Sequence, residues 1–176
     1  MNYITNAFPI PKNPLVLLGA ILLASLLVSC GPTGPSTRLT PHENDRIVLI
    51  GNNLGSRMMN FGHFETGMYL HYPDEQLVIR NMCDGGNTPG FRPHPGRETP
   101  WAFPGAEAFQ SELAQPSGSQ GHFEYPDDWL KRLGADIIIA FFGYNESFQG
   151  EEGVENFKAE LSAFVKHTLA QQYNDS

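Results

Sequence analysis

Asparagine side chains follow the ends of two apolar segments, and their amide groups are the first candidates for chemistry. Gly51-Asn52-Asn53 follows the run Ile47–Ile50, and Asn145 follows the run Ile137–Phe142. An amide both donates and accepts hydrogen bonds, which suits a hydroxyl-rich ligand. If Asn87 lies at the same place, these residues predict an amide-lined pocket. The alternative is that each asparagine only forms a local turn or helix cap.

Two nearby side chains, Ser56 and Cys83, are possible nucleophiles, but neither has a favourable setting. Ser56 lies about one helical turn after Asn53, so we expect it in the first turn of a helix. Cys83 is expected to be a buried structural thiol. The histidines have no metal-ligand spacing, so neither a metal nor a cofactor is expected. These scattered histidines are His63, His71, His94 and His122.

The elements that must position these residues alternate between strand and helix. Apolar runs predict strands at Ile47–Ile50, Gln76–Met82 and Ile137–Phe142. Helices are predicted at Asn53–Leu70, with breaks at Gly62 and Gly67, at Asp127–Leu133 and at Val154–Tyr173. The last helix has an apolar face of Val154, Phe157, Leu161, Phe164, Val165 and Leu169. Strands joined by helices predict a parallel sheet with its site at one edge.

A long segment rich in proline and glycine, Asp84–Tyr125, separates the second strand from the next helix. Its aromatic residues predict a packed loop, with one short helix at Glu107–Leu113. Arg92, His94 and Arg97 lie in this loop. We expect them to be solvated, and the alternative is contact with an anionic or sugar substrate.

Three blocks, each placed after a predicted strand, resemble the SGNH (GDSL) hydrolase superfamily. They are Gly51-Asn-Asn-Leu54, Arg80-Asn-Met-Cys-Asp-Gly-Gly-Asn-Thr88 and Phe142-Gly-Tyr-Asn-Glu146. The resemblance covers most of residues 45–173. It implies an α/β fold with a three-layer, doubly wound parallel sheet of flavodoxin-like architecture. The implied strand order is 2-1-3, with later strands missing. The activity it implies is ester hydrolysis, of acyl groups on carbohydrate.

The resemblance also assigns site residues by position. Asn53 stands where the family has its nucleophilic serine, and Gly86 and Asn145 stand at oxyanion-hole positions. An amide is a very poor nucleophile, and the chain contains no Asp-x-x-His. We therefore expect a degenerate domain in which Asn52 and Asn87 help to bind a small polar or glycan-like ligand, or a module that supports a larger protein. An active enzyme would need an Asp/His pair beyond Ser176 and another nucleophile.

The N-terminal residues predict export. The apolar run Leu15–Val28 is shorter than the ~20 residues of a spanning helix, and small residues precede Cys30. This pattern is similar to a bacterial lipobox. It predicts a lipoprotein signal peptide at residues 1–29, lipid attachment at Cys30 and a flexible tether at residues 30–44. The protein would then be anchored at the outer membrane or the periplasmic face. The alternatives are an ordinary signal peptide and an N-terminal anchor helix.

Charge and the third strand bear on partners. The net charge is −8, and it becomes −9 without residues 1–29, which hold one lysine and no acid. Such a surface repels phosphate backbones, so nucleic acid is not expected as a partner. A nucleotide-binding turn at Gly51–Gly55 would have an incomplete glycine pattern.

The strand Ile137–Phe142 is too apolar for an exposed edge. We expect a further strand, and further domains, beyond the C-terminus, or a dimer that supplies the neighbour.

Overall fold

The structure, a computed structural model, describes residues 38–110, 112, 121 and 123–174. Residues from Thr40 onward form one compact unit. The predictions for residues 1–29, for Cys30, for most of the tether and for His122 lie outside the described residues. Within the described ranges, no helix is long and apolar enough to cross a membrane.

Three parallel strands form the sheet, and their order is the predicted one. β1 (Arg46–Gly51) lies between β2 (Val78–Asn81) and β3 (Ile137–Phe141). In register, Ile47 is opposite Ile79 of β2 and Ile137 of β3. The central position explains why residues 47–50 are a continuous apolar run, since both faces and both edges of β1 are covered. The prediction of an α/β fold with order 2-1-3 is confirmed.

In the described part of the chain four helices accompany the sheet, and the break at Gly62 is confirmed. They are α1 (Asn53–Met58), α2 (His63–His71), α3 (Pro126–Leu133) and α4 (Val154–Gln171). The prediction of a second helix break at Gly67 is wrong, since Gly67 lies inside α2. α3 begins with Pro126 in its first turn and ends at Gly134 in the left-handed conformation. 3-10 turns occur at Ala106–Ala108 and Glu146–Gly153, and the first replaces the described part of the helix predicted at Glu107–Leu113.

The core lies on both faces of the sheet because alternate residues of β1 point to opposite sides. Val48 and Ile50 pack with Leu130 of α3 and Phe164 of α4. Residues of the other face pack with β2 and with apolar side chains of the first two helices. That second cluster contains Ile47, Leu49, Leu77, Ile79 and Cys83, with Met58, Phe64 and Met68 against it.

The buried face of α4 differs from the predicted apolar face. Phe164 is buried as expected, but Val165 and Leu169 are exposed, and Leu169 is 74% exposed. Glu160 is instead fully buried, and its Oε1 atom accepts hydrogen bonds from Thr88 Oγ1 at 2.8 Å and from the Gly90 amide at 2.9 Å. The helix turns this carboxylate inward because the loop after β2 presents donors there. An apolar pattern alone cannot anticipate that orientation.

β3 is an edge strand in the described part of the chain, where it pairs only with β1. Its isoleucines are half-buried, and Ala140 is exposed. The neighbouring strand expected from its composition is not among the described residues.

Candidate active-site corner and adjoining cavity

The turn after β1 requires glycine at its first position. Gly51 has a φ of +122°, and a Cβ atom there would lie 2.7 Å from the carbonyl carbon of Phe141. The next amide, of Asn52, donates to the Phe141 carbonyl at 2.9 Å. The ends of β1 and β3 are therefore held in close contact, and the chain turns directly from the strand into α1.

Asn52 and Asn87 fasten the loop after β2 over the end of β1. Asn52 Nδ2 donates to the Asn87 carbonyl at 2.9 Å, and Asn87 Nδ2 donates to the Gly51 carbonyl at 3.1 Å. Asn52 Oδ1 accepts from the Asn53 amide at 2.5 Å and caps α1. Asn52 is only 1% exposed, so it has no free surface for the ligand contact expected from sequence. Asn52 therefore has the local role of a helix cap, which the sequence offered as the alternative to a ligand contact.

Asn53 and Gly85 meet at the tip of this corner. Asn53 is exposed at the first position of α1, and a Cβ atom at Gly85 would lie 3.0 Å from Asn53 Oδ1. The Asn53 side chain thus lies against the turn that contains Gly86. Gly86 has a φ of +85° and open space around it. The first and second blocks of the sequence are therefore adjacent in space.

Asn145 lies on the β3 side of the same sheet edge. It is half-buried, precedes the 3-10 turn at Glu146–Gly153, and gives that turn no side-chain cap. Among the described residues, no hydrogen bond joins its side chain to Asn53 or Gly86. The loop is held instead by Glu146, whose Oε2 atom accepts from the Gly143 amide at 2.9 Å. Burial raises the pKa of Glu146.

The two possible nucleophiles have the settings expected of structural residues. Ser56 is half-buried in α1, and its amide donates to the Asn52 carbonyl at 3.1 Å. Cys83 is 5% exposed, and Gly55 of α1 packs directly on its sulfur. Burial raises the pKa of the Cys83 thiol to about 12, so it is protonated at neutral pH. A protonated, buried thiol is a poor nucleophile.

An aspartate–histidine pair is present, and sequence reasoning missed it. His167 Nε2 lies 2.6 Å from Asp127 Oδ2, and the Tyr173 hydroxyl donates to Asp127 Oδ1 at 2.5 Å. The two residues are far apart in the chain, so no local motif signals the pair. His167 Nε2 is occupied by Asp127, and its Nδ1 atom lies 3.5 Å from Gln171 Nε2. The pair fastens α4 to the start of α3.

A cavity of about 300 Å³ adjoins the corner on the β2 side. Its volume is at the lower end of the range for small-molecule sites. The polar and aromatic residues that line it are Asn81, Asp84, Asn87, Arg92, His94, Arg97, Phe123 and Trp129. Asn87 connects the corner to the cavity because it takes part in both.

The cavity's arginines are buried, which corrects the expectation of solvated loop charges. Arg92 is 4% exposed and Arg97 is 7% exposed. Arg92 donates through Nε to the Thr88 carbonyl at 3.0 Å, and its guanidinium lies 5.0 Å from the centre of the Phe142 ring. Arg97 donates to the Arg92 carbonyl at 2.7 Å. The loop folds around these guanidinium groups, whose donors satisfy backbone carbonyls that would otherwise be buried without partners.

Aromatic rings form another wall of the cavity. His94 stacks on Phe123 with 3.7 Å between the ring centres, and Trp129 meets Phe123 edge to face at 5.3 Å. His94 Nδ1 accepts from the Gly96 amide at 3.0 Å, so the neutral ring carries its proton on Nε2. The cavity therefore combines hydrogen-bonding groups with flat apolar surface.

Metal-ligating groups and a second cavity also bear on the assignment of a function. In the described ranges, no group of three or more metal-ligating side chains is assembled. A second, wider cavity of about 430 Å³ lies on the other side of Pro126 and is lined by Trp101, Phe103, Tyr125 and Asp127.

Comparison of the chain with protein-family models, with curated proteins and with solved structures finds no match. The chemistry of the corner and the cavity is therefore the basis for assigning a function.

Proposed function

We propose that this chain is a degenerate SGNH-like domain of an exported lipoprotein, which binds a small glycan-like ligand without hydrolysing it. The observation that carries the proposal is the cavity beside the Asn53 corner. It is lined by amide, guanidinium and aromatic groups, whereas the position of the nucleophile holds an amide. The order of the three blocks along the chain and the strand order β2-β1-β3 are consistent with the SGNH resemblance.

Catalysis is disfavoured because the described residues place no nucleophile and no general base together at the corner. Asn53 cannot attack an ester, and the Cys83 thiol is protonated at neutral pH. The Asp127–His167 pair fastens two helices together, and its Nε2 atom is already occupied. A general base must reach the proton that it removes, and no such arrangement exists at Asn53 among the described residues.

A sugar fits the cavity better than a purely apolar ligand. A pyranose has hydroxyl groups at its rim and a flatter apolar face, so it needs both hydrogen-bonding groups and an aromatic surface. His94 and Asp84 line it with polar groups, and Trp129 supplies the aromatic surface.

The experiment uses the two tryptophans as separate reporters. A Trp101→Phe variant keeps only Trp129, which lines the cavity, and a Trp129→Phe variant keeps only Trp101, which lies outside it. The full-length protein in mild detergent is titrated with neutral and acidic monosaccharides. We expect a saturable fluorescence change from Trp129 and none from Trp101. If no sugar changes the Trp129 signal or the melting temperature, the binding proposal is wrong.

A second candidate function is structural, as a module that supports a larger protein. The observation in its favour is the apolar edge strand β3, with Ala140 exposed. An apolar edge favours pairing with another strand. Absence of all sugar binding, together with strand pairing along β3 in a larger assembly, would favour this role.

A further inference from the structure

We infer that the ligand of this cavity is an acidic monosaccharide whose carboxylate is bound by Arg92. The inference rests on the proposed function and makes its substrate class specific. The carboxylate of this ligand is a feature that neither the corner residues nor the SGNH resemblance predicts.

Arg92 is a buried cation that forms no ion pair among the described residues, although Asp127 lies close enough to raise its pKa. Its Nε and Nη2 atoms donate to the carbonyls of Thr88 and Pro89, at 3.0 and 3.1 Å. The rings of Phe142 and Phe164 lie 5.0 and 5.2 Å from the guanidinium. Burying a charge is costly unless an opposite charge compensates for it. Burial, together with repulsion from Arg97, lowers the pKa of Arg92 to about 10, so it keeps its charge at neutral pH.

The third nitrogen of the Arg92 guanidinium is available to a ligand. Nη1 has no hydrogen-bond partner among the described residues, and Arg92 lines the cavity. A guanidinium edge is well matched to a carboxylate.

The charge around the cavity also favours an anion. Two arginines, Arg92 and Arg97, line it together with one carboxylate, that of Asp84. Asp84 raises the pKa of Arg97 and so lies close enough to balance part of that charge. The positive charge that remains at the cavity is opposite in sign to the net charge of the chain, which is −8. A local field of opposite sign to that of the molecule concentrates anions at the cavity.

The remaining lining indicates a sugar acid rather than a free inorganic anion. Inorganic phosphate would reach Arg92 but would leave the aromatic surface of Trp129 uncovered. The Asn87 Oδ1 atom is buried without a hydrogen-bond partner among the described residues, at the wall of the same cavity. A ligand hydroxyl that approaches this wall would provide a donor after a small side-chain shift. A carboxylate and hydroxyl groups on one ring meet all of these conditions.

Matched ligand pairs test the inference on the unmodified protein. Full-length protein in mild detergent is titrated by calorimetry at pH 7 with galacturonate against galactose, glucuronate against glucose, mannuronate against mannose, and inorganic phosphate. Within each pair the chief difference is a carboxylate in place of a hydroxymethyl group. We expect at least one acid to bind ten-fold or more tightly than its neutral partner, and that preference to decrease with added salt.

Two variants test whether Arg92 causes the preference for the acidic sugar. Arg92→Gln is expected to abolish the preference for the acid while weak binding of the neutral sugar remains. Arg80→Gln removes the same charge from an exposed position on β2 and is expected to change nothing. If Arg92→Gln does not fold, as judged by circular dichroism, the unmodified protein and its salt dependence decide the matter.

Each contrary outcome has its own meaning. Equal affinity for acid and neutral sugars overturns the inference and leaves the proposed function standing. Phosphate binding that is tighter than that of every acid also overturns it, in favour of a phosphorylated ligand. Absence of binding by every sugar and by phosphate contradicts both the inference and the proposed function. Loss of the preference in Arg80→Gln rather than in Arg92→Gln assigns the anion to another place.

Discussion

Asn53 stands at the tip of the turn after β1, with its side chain beside Gly85 and the open turn at Gly86. Its position follows from the strand, the glycine at position 51 and the cap from Asn52. None of these features requires a nucleophile at position 53. Under the proposed SGNH resemblance, the corner keeps its geometry with an amide at the position of the nucleophile.

Gly51 is the residue on which this corner depends most. Gly51→Ala is expected to lower the free energy of unfolding by more than about 2 kcal/mol, because alanine is strained at a φ of +122° and its Cβ would overlap the Phe141 backbone. Gly67→Ala is the matched control, since Gly67 lies in α2 with nothing within 4 Å of the added atom. It should stabilise the protein by about 0.5–1 kcal/mol. Urea denaturation measures both, and equal effects would contradict the role of Gly51.

The buried thiol of Cys83 gives the protein a pH dependence in the alkaline range. Its pKa rises from 9.0 in the unfolded chain to about 12 in the folded protein. The unfolded chain thus loses this proton first, so the contribution is complete below pH 9 and is lost as the pH rises towards 12. Burial and the bond to Asp127 raise the pKa of Tyr173 as well, so the variant must be compared with the wild type.

The comparison uses Cys83→Ala, which retains Tyr173. Between pH 8 and pH 10 the wild type should lose about 1 kcal/mol more stability than Cys83→Ala. Denaturant unfolding curves at the two pH values measure the difference. Identical pH dependence in the two proteins would show that Cys83 does not titrate as described.

At the scale of elements, periodic patterns predicted the sheet well and the loop poorly. The three strands and α3 follow from apolar runs, a proline and a glycine, which act locally. The inward turn of Glu160 and the burial of Arg92 depend on partners distant in sequence, such as Thr88 and Phe164. The pairing of Asp127 with His167 has the same origin. Single-sequence patterns carry no information about which distant polar groups will meet.

The contact between α4 and the loop after β2 rests on Glu160. Its Oε1 atom accepts from Thr88 Oγ1, from the Gly90 amide and from Gln110 Nε2, all within 3.0 Å. Glu160→Gln should lower the free energy of unfolding by about 1–3 kcal/mol, because the neutral amide weakens charge-assisted bonds and adds a buried donor. Glu155→Gln is the control: it removes only a solvent-exposed ion pair with Lys158, so the free energy of unfolding should fall by less than about 1 kcal/mol. Thermal unfolding followed by circular dichroism measures both variants. A Glu160→Gln protein as stable as the wild type would contradict this role.

At the scale of the whole molecule, we propose a ligand-binding domain that a lipid anchor holds at a membrane surface. The sequence suggested the α/β class and the residues of the corner. It did not suggest the cavity, because Arg92, Phe123 and Trp129 come together only through the fold of the long loop. The apolar edge of β3 leaves one side of the sheet ready to pair with a further strand.

Lipid anchoring is tested at Cys30. Cys30→Ala removes the only thiol at the proposed lipobox, so the protein should lose incorporation of labelled fatty acid and leave the membrane fraction. Cys83→Ala is the control, and it should keep both properties. Membrane partitioning of Cys30→Ala equal to that of the wild type would exclude acylation as the anchor.

Binding without cleavage is the central claim, and nuclear magnetic resonance tests it in a single sample. An O-acetylated galacturonate is mixed with the full-length protein, and saturation transfer to the sugar is followed together with release of free acetate. The account predicts transfer to the ring protons, with acetate released no faster than in buffer. Acetate release above the buffer rate that disappears in Asn53→Ala would contradict it.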